Sequence, residues 1–347
     1  MRNVNAFDEA ARCTGARLRP VLLQLPQPVK EAAQEIRLRC DRPLLVRLPE
    51  QDIMFSSNGQ RQLIAAGEPF CVTKEDVDEC FRIACGCSVH THQQQLCSGF
   101  VTVAGGHRVG VCGTAVYQNG VITSVRELSS LNIRVAREHV GCADRLFDAV
   151  RRSDFRSFLI AGPPCTGKTS LLRDLARLLG GLNGKSTAVL DERGEIAACV
   201  DGAPQNDLGR SCDVLTGYAK NEAVTLALRS LSPDFIVTDE VSRLNEVRAI
   251  ESGFFSGVSF FLSVHARTPE ELRRKQTVRR LLGSGQFGGV AFLSDRSRPG
   301  RIEWIRSAGD ALDPDTGGGT DLAGFVAGRL AGSAASEAAA ASAFAVC

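Results

Sequence analysis

The second half of the chain sets short, unbroken apolar runs between amphipathic stretches. SFLIA (157–161), STAVLDE (186–192), DFIVTDE (234–240) and SFFLSVH (259–265) read as strands buried on both faces. SLLRDLARLL (170–179), NEAVTLALRSL (221–231) and LNEVRAIESGFF (244–255) return apolar residues every three or four positions and read as helices. Strands alternating with helices predict an α/β architecture, a mostly parallel sheet covered by helices. The first half follows another pattern. LLVRLP (44–49), GFVTVAGGHRVGV (99–111) and GTAVYQNGVITSV (113–125) alternate as hairpin strands, with a tight turn at Gln118-Asn119-Gly120. KEAAQEIRLRC (30–40) and KEDVDECFRIAC (74–85) read as helices. The division this predicts is a smaller α+β domain over 1–153 and an α/β domain over 154–306. Residues 307–347, rich in Gly, Ala and Ser, offer little apolar area to bury and read as a disordered or marginally helical tail.

Composition narrows the classes. A chain of 347 residues, 44% hydrophobic, is long enough for two buried cores. A formal net charge of +2 does not by itself point to nucleic acid or a membrane surface. The longest apolar stretch, FFSGVSFFLSV (254–264), falls short of the roughly 20 residues needed to span a bilayer. The opening MRNVNAFDEAARC lacks the apolar core of a signal peptide. A cytosolic protein is expected, so the thirteen cysteines are expected as reduced thiols. Cys80, Cys85, Cys87, His90, His92 and Cys97 form a CxC and HxH cluster, but without the paired knuckles of a structural zinc site. Buried thiols are the favoured reading there.

The chemistry lies between the strands. Gly162, Pro163, Pro164, Cys165, Thr166, Gly167, Lys168 and Thr169 fit the phosphate-loop template, with a strand before and a helix after, and Ser170 follows. Glycines let backbone N–H groups turn inward around phosphates, and the helix dipole favours the same anion. Lys168 is positioned by the template to reach the β- and γ-phosphates of ATP, and Thr169 to place its hydroxyl on Mg²⁺. DFIVTDE ends a buried strand in two acids, Asp239 to hold the Mg²⁺ through water and Glu240 to orient or deprotonate the attacking water. STAVLDERGEIA, between these elements, places Asp191, Glu192 and Glu195 near the same sheet edge. His265 ends the strand after them, where a side chain can sense the γ-phosphate.

With these residues in order, the chain resembles the secretion-type ATPases of type II and type IV systems and, more closely, the stage III sporulation protein AA family. The resemblance spans roughly 17 to 306. It rests on EIRLRCDRPL (35–44), GFVTVAGGHRVGVCGTAV (99–116), SSLNIRVARE (129–138), DERGEIAA (191–198), CDVLTGYAKNEAVTLALRSLSPDFIVTDE (212–240) and SVHA (263–266). It implies a RecA-like P-loop NTPase domain and an ATP-hydrolysing motor of the channel between mother cell and forespore. It further implies a homohexameric ring with nucleotide between subunits. The protein would then be cytoplasmic, peripheral at the membrane through channel proteins of the sporulation apparatus, with no membrane insertion of its own. Such ATPases place arginines across the subunit interface; Arg134, Arg137 and Arg229 are the candidates, each equally compatible with a surface or salt-bridge role. Ser170 departs from the usual second threonine. Val241-Ser242-Arg243 stands where the family tends to have Ile-Gly, a change that bears on the turn beside Glu240. The family pattern also accounts for the Cys85–His92 segment as ordinary helix-to-strand sequence.

Two other readings compete. EELRRKQTVRRLL (270–282) carries Arg273, Arg274, Lys275, Arg279 and Arg280, a basic face able to bind a phosphate backbone in a nucleic-acid-stimulated ATPase of helicase or loader type. One Trp and two Tyr in the whole chain leave it without stacking aromatics, so nucleic acid is not the expected partner. A non-catalytic, nucleotide-gated scaffold is the third reading.

Overall fold

The computed structural model describes residues 5–57, 59, 61–62, 68–86, 88, 92–295 and 298–313. The tail beyond 313, and Cys87 and His90 of the cysteine–histidine cluster, lie outside the described residues. Among the described residues no group of three or more His, Cys, Asp or Glu side chains is placed to hold a metal ion. The described cysteines are free thiols. No described helix is long and apolar enough to cross a membrane.

The chain divides into two compact units: the described residues up to Arg137 with Ala198–Asn206, and Glu138–Ala197 with Asp207 onward. The second unit is built on a seven-stranded sheet. Its order is Cys212–Thr216, Thr187–Asp191, Phe235–Thr238, Ser259–His265, Ser157–Gly162, Phe287–Phe292, Trp304–Ser307. All pairings are parallel except the last, where Trp304–Ser307 runs antiparallel against Phe287–Phe292. Ser157–Gly162, Thr187–Asp191, Phe235–Thr238 and Phe287–Phe292 are buried at every position, as strands covered on both faces must be. The helix Leu244–Phe254 packs by aromatic edges: Phe254 meets Phe260 at 5.4 Å and Phe287 at 5.9 Å between ring centroids, near perpendicular in both cases. Gly253 makes that approach possible, since a Cβ there would stand 2.5 Å from the Phe260 ring.

Register decides where the strands end. Gly162 pairs with His265, Leu190 with Thr238, Thr238 with Leu262, and Asp191 with Thr216. Cys212–Thr216, Thr187–Asp191 and Phe235–Thr238 therefore end within a residue of one another, and Ser259–His265 and Ser157–Gly162 end together two to three residues further on, all at the carboxyl edge where ligands gather in open parallel sheets.

The first unit holds a seven-stranded antiparallel sheet ordered Arg61–Gln62, Asp52–Phe55, Leu45–Arg47, Glu35–Arg39, Val121–Arg134, His107–Gln118, Phe100–Val103. Asn119 and Gly120, both at positive φ, turn the long hairpin. Lys74–Ala84 is a helix, opened by a capping box between Thr73 and Asp76. KEAAQEIRLRC is not one helix, as its pattern suggested. The helix Gln27–Ala32 ends before Ala33, and Glu35–Arg39 is a strand with Ile36 and Leu38 buried, paired on both sides. The two-residue alternation of EIRLR, with strands available on either edge, overrides the helix propensity of the preceding alanines.

His107 is completely buried in this unit. Its Nδ1 accepts from the Ala136 N–H at 2.9 Å, so the neutral ring carries its proton on Nε2, which has no hydrogen-bond partner and lies 4.0 Å from Glu9 Oε2. Burial, reinforced by the Arg137 guanidinium, pushes its pKa down to about 4 from 6.5. A depressed histidine pKa means the unfolded chain takes the proton first. Stability at this residue is therefore full above pH 6.5 and is lost as pH falls toward 4, by roughly 3 kcal/mol in all. His107→Asn is expected to flatten that part of the pH dependence; urea midpoints of both proteins between pH 7 and 4 would show it, and identical slopes would refute it.

Candidate nucleotide-binding site

Ser157–Gly162 is the strand that delivers the glycine-rich loop, and Lys168–Gly180 is the helix that leaves it. Between them the backbone takes conformations that side chains resist: Cys165 at φ 64° and Gly167 at φ 87°. Gly167 has a second reason to be glycine. A Cβ there would stand 2.2 Å from the Gly300 nitrogen, and the Gly300 N–H donates to Thr166 O at 2.8 Å, so the segment after Arg298 backs the loop directly. Gly162 is equally confined, its added Cβ falling 2.3 Å from Leu293 O. Inside the loop the buried Thr166 hydroxyl and Lys168 Nζ both donate to Pro163 O, at 2.8 and 2.7 Å. Burial pulls the Lys168 ammonium below the usual lysine range, against the opposing pull of Asp239 and Glu240. Pro163 is buried, while Pro164 and Cys165 are exposed. Ser170 lies in the first turn of the helix, its carbonyl accepting from Cys142 Sγ at 3.6 Å.

Asp239 and Glu240 follow Phe235–Thr238, the strand two places from the loop strand. Thr169 Oγ1 donates to Asp239 Oδ2 at 2.9 Å. Ser263 Oγ donates to Asp239 Oδ1, and the Glu240 N–H donates to Asp239 Oδ1 and to Ser263 Oγ at 2.8 and 2.9 Å. The Glu240 carboxylate lies 3.4 Å from His265 Nε2 and 3.4 Å from Arg193. The turn after it is fixed although its sequence departs from the family pattern: Val241 N–H donates to Ser263 O, and Ser242 and Arg243 N–H donate to the Glu246 carboxylate.

Asp191, Glu192 and Glu195 do not act alike. The buried Asp191 carboxylate accepts the N–H groups of Glu195, Ile196 and Ala197 at 2.7, 3.2 and 2.8 Å and so shapes its own turn. Arg173, on the helix after the loop, donates to the Glu195 and Ile196 carbonyls of that turn. Glu192 faces Lys220 Nζ at 3.8 Å. These turns enclose a polar cleft lined by Asp191, Glu192, Arg193, Lys220, Asp239 and Glu240 among others.

Lys168, Thr169, Asp239, Glu240 and His265 thus come together at one edge of one sheet. Arg229 does not join them within this unit. It is exposed in the last turn of Lys220–Ser230, about 14 Å along the axis from Lys220 at 1.5 Å per residue. Arg134 and Arg137 belong to the first unit, where Arg134 lies 3.5 Å from Glu35 and Arg137 donates to Lys30 O. Sequence reasoning passed over Ser263, Arg193 and Lys220. Only the serine carried a signal, as a polar residue inside the apolar run SFFLSV.

A central parallel strand leading into a phosphate loop, with an acid pair two strands away, defines a P-loop NTPase domain of RecA-like type. The fold is shared with the solved pilus retraction motor PilT, at 17% identity and a TM-score of 0.51 over 77% of this chain and 76% of that one. The Legionella pneumophila ATPase DotB also matches, with a TM-score of 0.47 and 13% identity over 75% of this chain and 72% of that one. The chain belongs to the family described as "Sporulation stage III, protein AA", which matches residues 6–310. It is 32% identical to stage III sporulation protein AA of Bacillus subtilis (strain 168) over 322 residues, 90% of this chain and 99% of that protein.

The loop geometry leaves no room for a side chain at Gly167. Gly167→Ala is expected to destabilise the second unit by at least about 1–2 kcal/mol from left-handed strain alone, before the clash with Gly300. Thermal unfolding and titration with a fluorescent ATP analogue check this; an unchanged Tm with unchanged affinity would contradict the geometry.

Proposed function

We propose that the chain is an ATP hydrolase working as the motor of the sporulation channel between mother cell and forespore, driving its assembly or transport through it. The observation that carries this reading is the hydrogen bond between Thr169 and Asp239, which sets two hard oxygen donors together beside Lys168 and Glu240. Oxygen donors of this kind suit Mg²⁺, and Thr169 and Asp239 are the residues that would hold it. When bound, the ion would neutralise charge developing on the β- and γ-phosphates. Loop N–H groups and the helix N-terminus bind the phosphates, and a buried ammonium at Lys168 gains most from an anion beside it. Glu240 orients and deprotonates the attacking water, and His265, 3.4 Å from that carboxylate, senses the γ-phosphate.

The resemblance to secretion ATPases supports a homohexamer with nucleotide between subunits and Arg134, Arg137 or Arg229 acting across the interface. It supports a cytoplasmic protein held at the membrane by channel proteins; the division into domains over 1–153 and 154–306 rests on the sequence pattern alone, whereas the compact units change at Arg137 and Glu138. The nucleic-acid reading loses ground on charge. Arg273 pairs with Glu270, Lys275 with Glu271 and Arg280 with Glu251, so much of the basic face of 270–282 is already compensated.

Steady-state hydrolysis across protein concentration tests the whole reading. Activity per subunit is expected to climb with concentration as rings form. Lys168→Ala is expected to abolish nucleotide binding, and Glu240→Gln to keep binding while turnover falls by on the order of 10²–10⁴-fold. Full activity in the Glu240 variant would refute the mechanism. Activity per subunit that stays flat while scattering shows only monomer would refute the shared site, and stimulation by single-stranded nucleic acid would move the reading to the helicase class.

A further inference from the structure

Lys220 opens the helix Lys220–Ser230, and two physical terms work against a lysine there. The positive end of the helix dipole repels a cation in the first turn. The residue is also only 7% exposed, so its ammonium has lost most of its water. A charge kept where both terms oppose it needs specific partners, and Lys220 has them. Its Nζ donates to the backbone carbonyl of Glu240 at 2.5 Å and lies 3.8 Å from Glu192 Oε2.

The register explains how one side chain reaches both. Thr216 pairs with Asp191, and Leu190 pairs with Thr238, so these three strands end level. A side chain four residues beyond Thr216 then spans the turn after Asp191 and arrives at the residue after Asp239. Lys220 is the brace across three strand ends.

We infer that Lys220 is a positioning residue for hydrolysis, acting through Glu240; the inference rests on the ATPase reading above. The N–H of Glu240 is held by Asp239 Oδ1 and Ser263 Oγ. Lys220 holds the carbonyl of the same residue, and its pairing with Glu192 ties that carbonyl to the neighbouring turn. With both ends of the residue clamped, the direction in which its carboxylate leaves the backbone is set before substrate arrives. Catalytic groups demand this: a misplacement of about 1 Å can cost roughly 10²-fold in rate. Lys168 and Thr169 make their contacts elsewhere, to Pro163 O and Asp239, so the brace should bear on turnover and not on phosphate binding.

The test uses the full chain with Lys220→Met, Lys220→Arg and Glu192→Gln beside wild type. Each is measured for steady-state hydrolysis at matched concentration and for equilibrium binding of fluorescent ATP and ADP analogues. Lys220→Met is expected to lower kcat by about 10–100-fold with both Kd values within about twofold of wild type. Lys220→Arg, which keeps a charged donor, is expected to recover most of the rate, and Glu192→Gln to fall in between because the contact to the Glu240 carbonyl survives. A wild-type kcat in Lys220→Met overturns the inference. So does a Kd for ATP that rises in step with the loss of rate, which would make the lysine a direct phosphate ligand. If Lys220→Met loses its fold, the other two variants decide, and full activity in Glu192→Gln together with loss of rate in Lys220→Arg without loss of binding counts against the brace. A wild type that binds ATP through Lys168 but never turns it over fails differently: it removes the ATPase reading itself, and the role of Lys220 with it.

Discussion

The carboxylate of Asp239 is the point on which the site depends. It accepts from Thr169 on the loop helix, from Ser263 on the strand between, and from the N–H of its own successor Glu240. One acidic side chain therefore joins three segments that are distant in sequence. A carboxylate shared among several donors can satisfy all of them only if the strands beneath it are held in one register, which sets Asp239 beside Ser263, so the buried parallel sheet and the site are one constraint seen from two sides. The buried strands fix that register, since a strand buried on both faces has little freedom to slip.

Around this point the charges are interleaved. Lys168, Lys220, Arg193 and His265 stand among Glu192, Asp239 and Glu240, while Asp191 is occupied by three backbone N–H groups. That difference separates the two acidic strand ends chemically. Asp191 is spent on shaping a turn, and Arg173 reinforces the same turn through two carbonyls. Asp239 and Glu240 keep oxygens directed at the loop and the cleft. A buried ion is tolerated only when paired and hydrogen-bonded, and the buried groups here, Lys168, Lys220 and Asp191, each hold backbone atoms, so for them electrostatics and geometry are settled by the same contacts.

What was legible in the sequence follows from distance along the chain. The phosphate loop, the strand before it and the acid pair are local patterns, and the structure forms each where its residues suggested. Thr169 and Asp239 could be named separately, but their contact across seventy positions depends on strand order, which periodicity does not encode. Lys220 and Arg193 were invisible for that reason: each reads as an ordinary surface cation until the order of strands brings it to Glu240. EIRLR failed in the opposite way. Its two-residue alternation was present, but it follows an alanine-rich turn whose propensity points to helix, and only the strands on either side decide in favour of sheet.

The loop also shows why such a site cannot be assembled from side chains alone. Gly167 and Gly300 meet with no room for a Cβ at the first, and Thr166 O receives the Gly300 N–H. Both glycines sit at φ 87°, so the cradle and the segment behind it are shaped by backbone that few other residues could follow. Gly300 lies between the strand Phe287–Phe292 and the antiparallel edge strand Trp304–Ser307, whose tryptophan stacks on Phe292 at 5.1 Å. The edge strand is thereby coupled to the phosphate cradle through two hydrogen-bonded residues and one stacked pair. Contacts that fix a cradle from behind leave less of the binding free energy to go into ordering it.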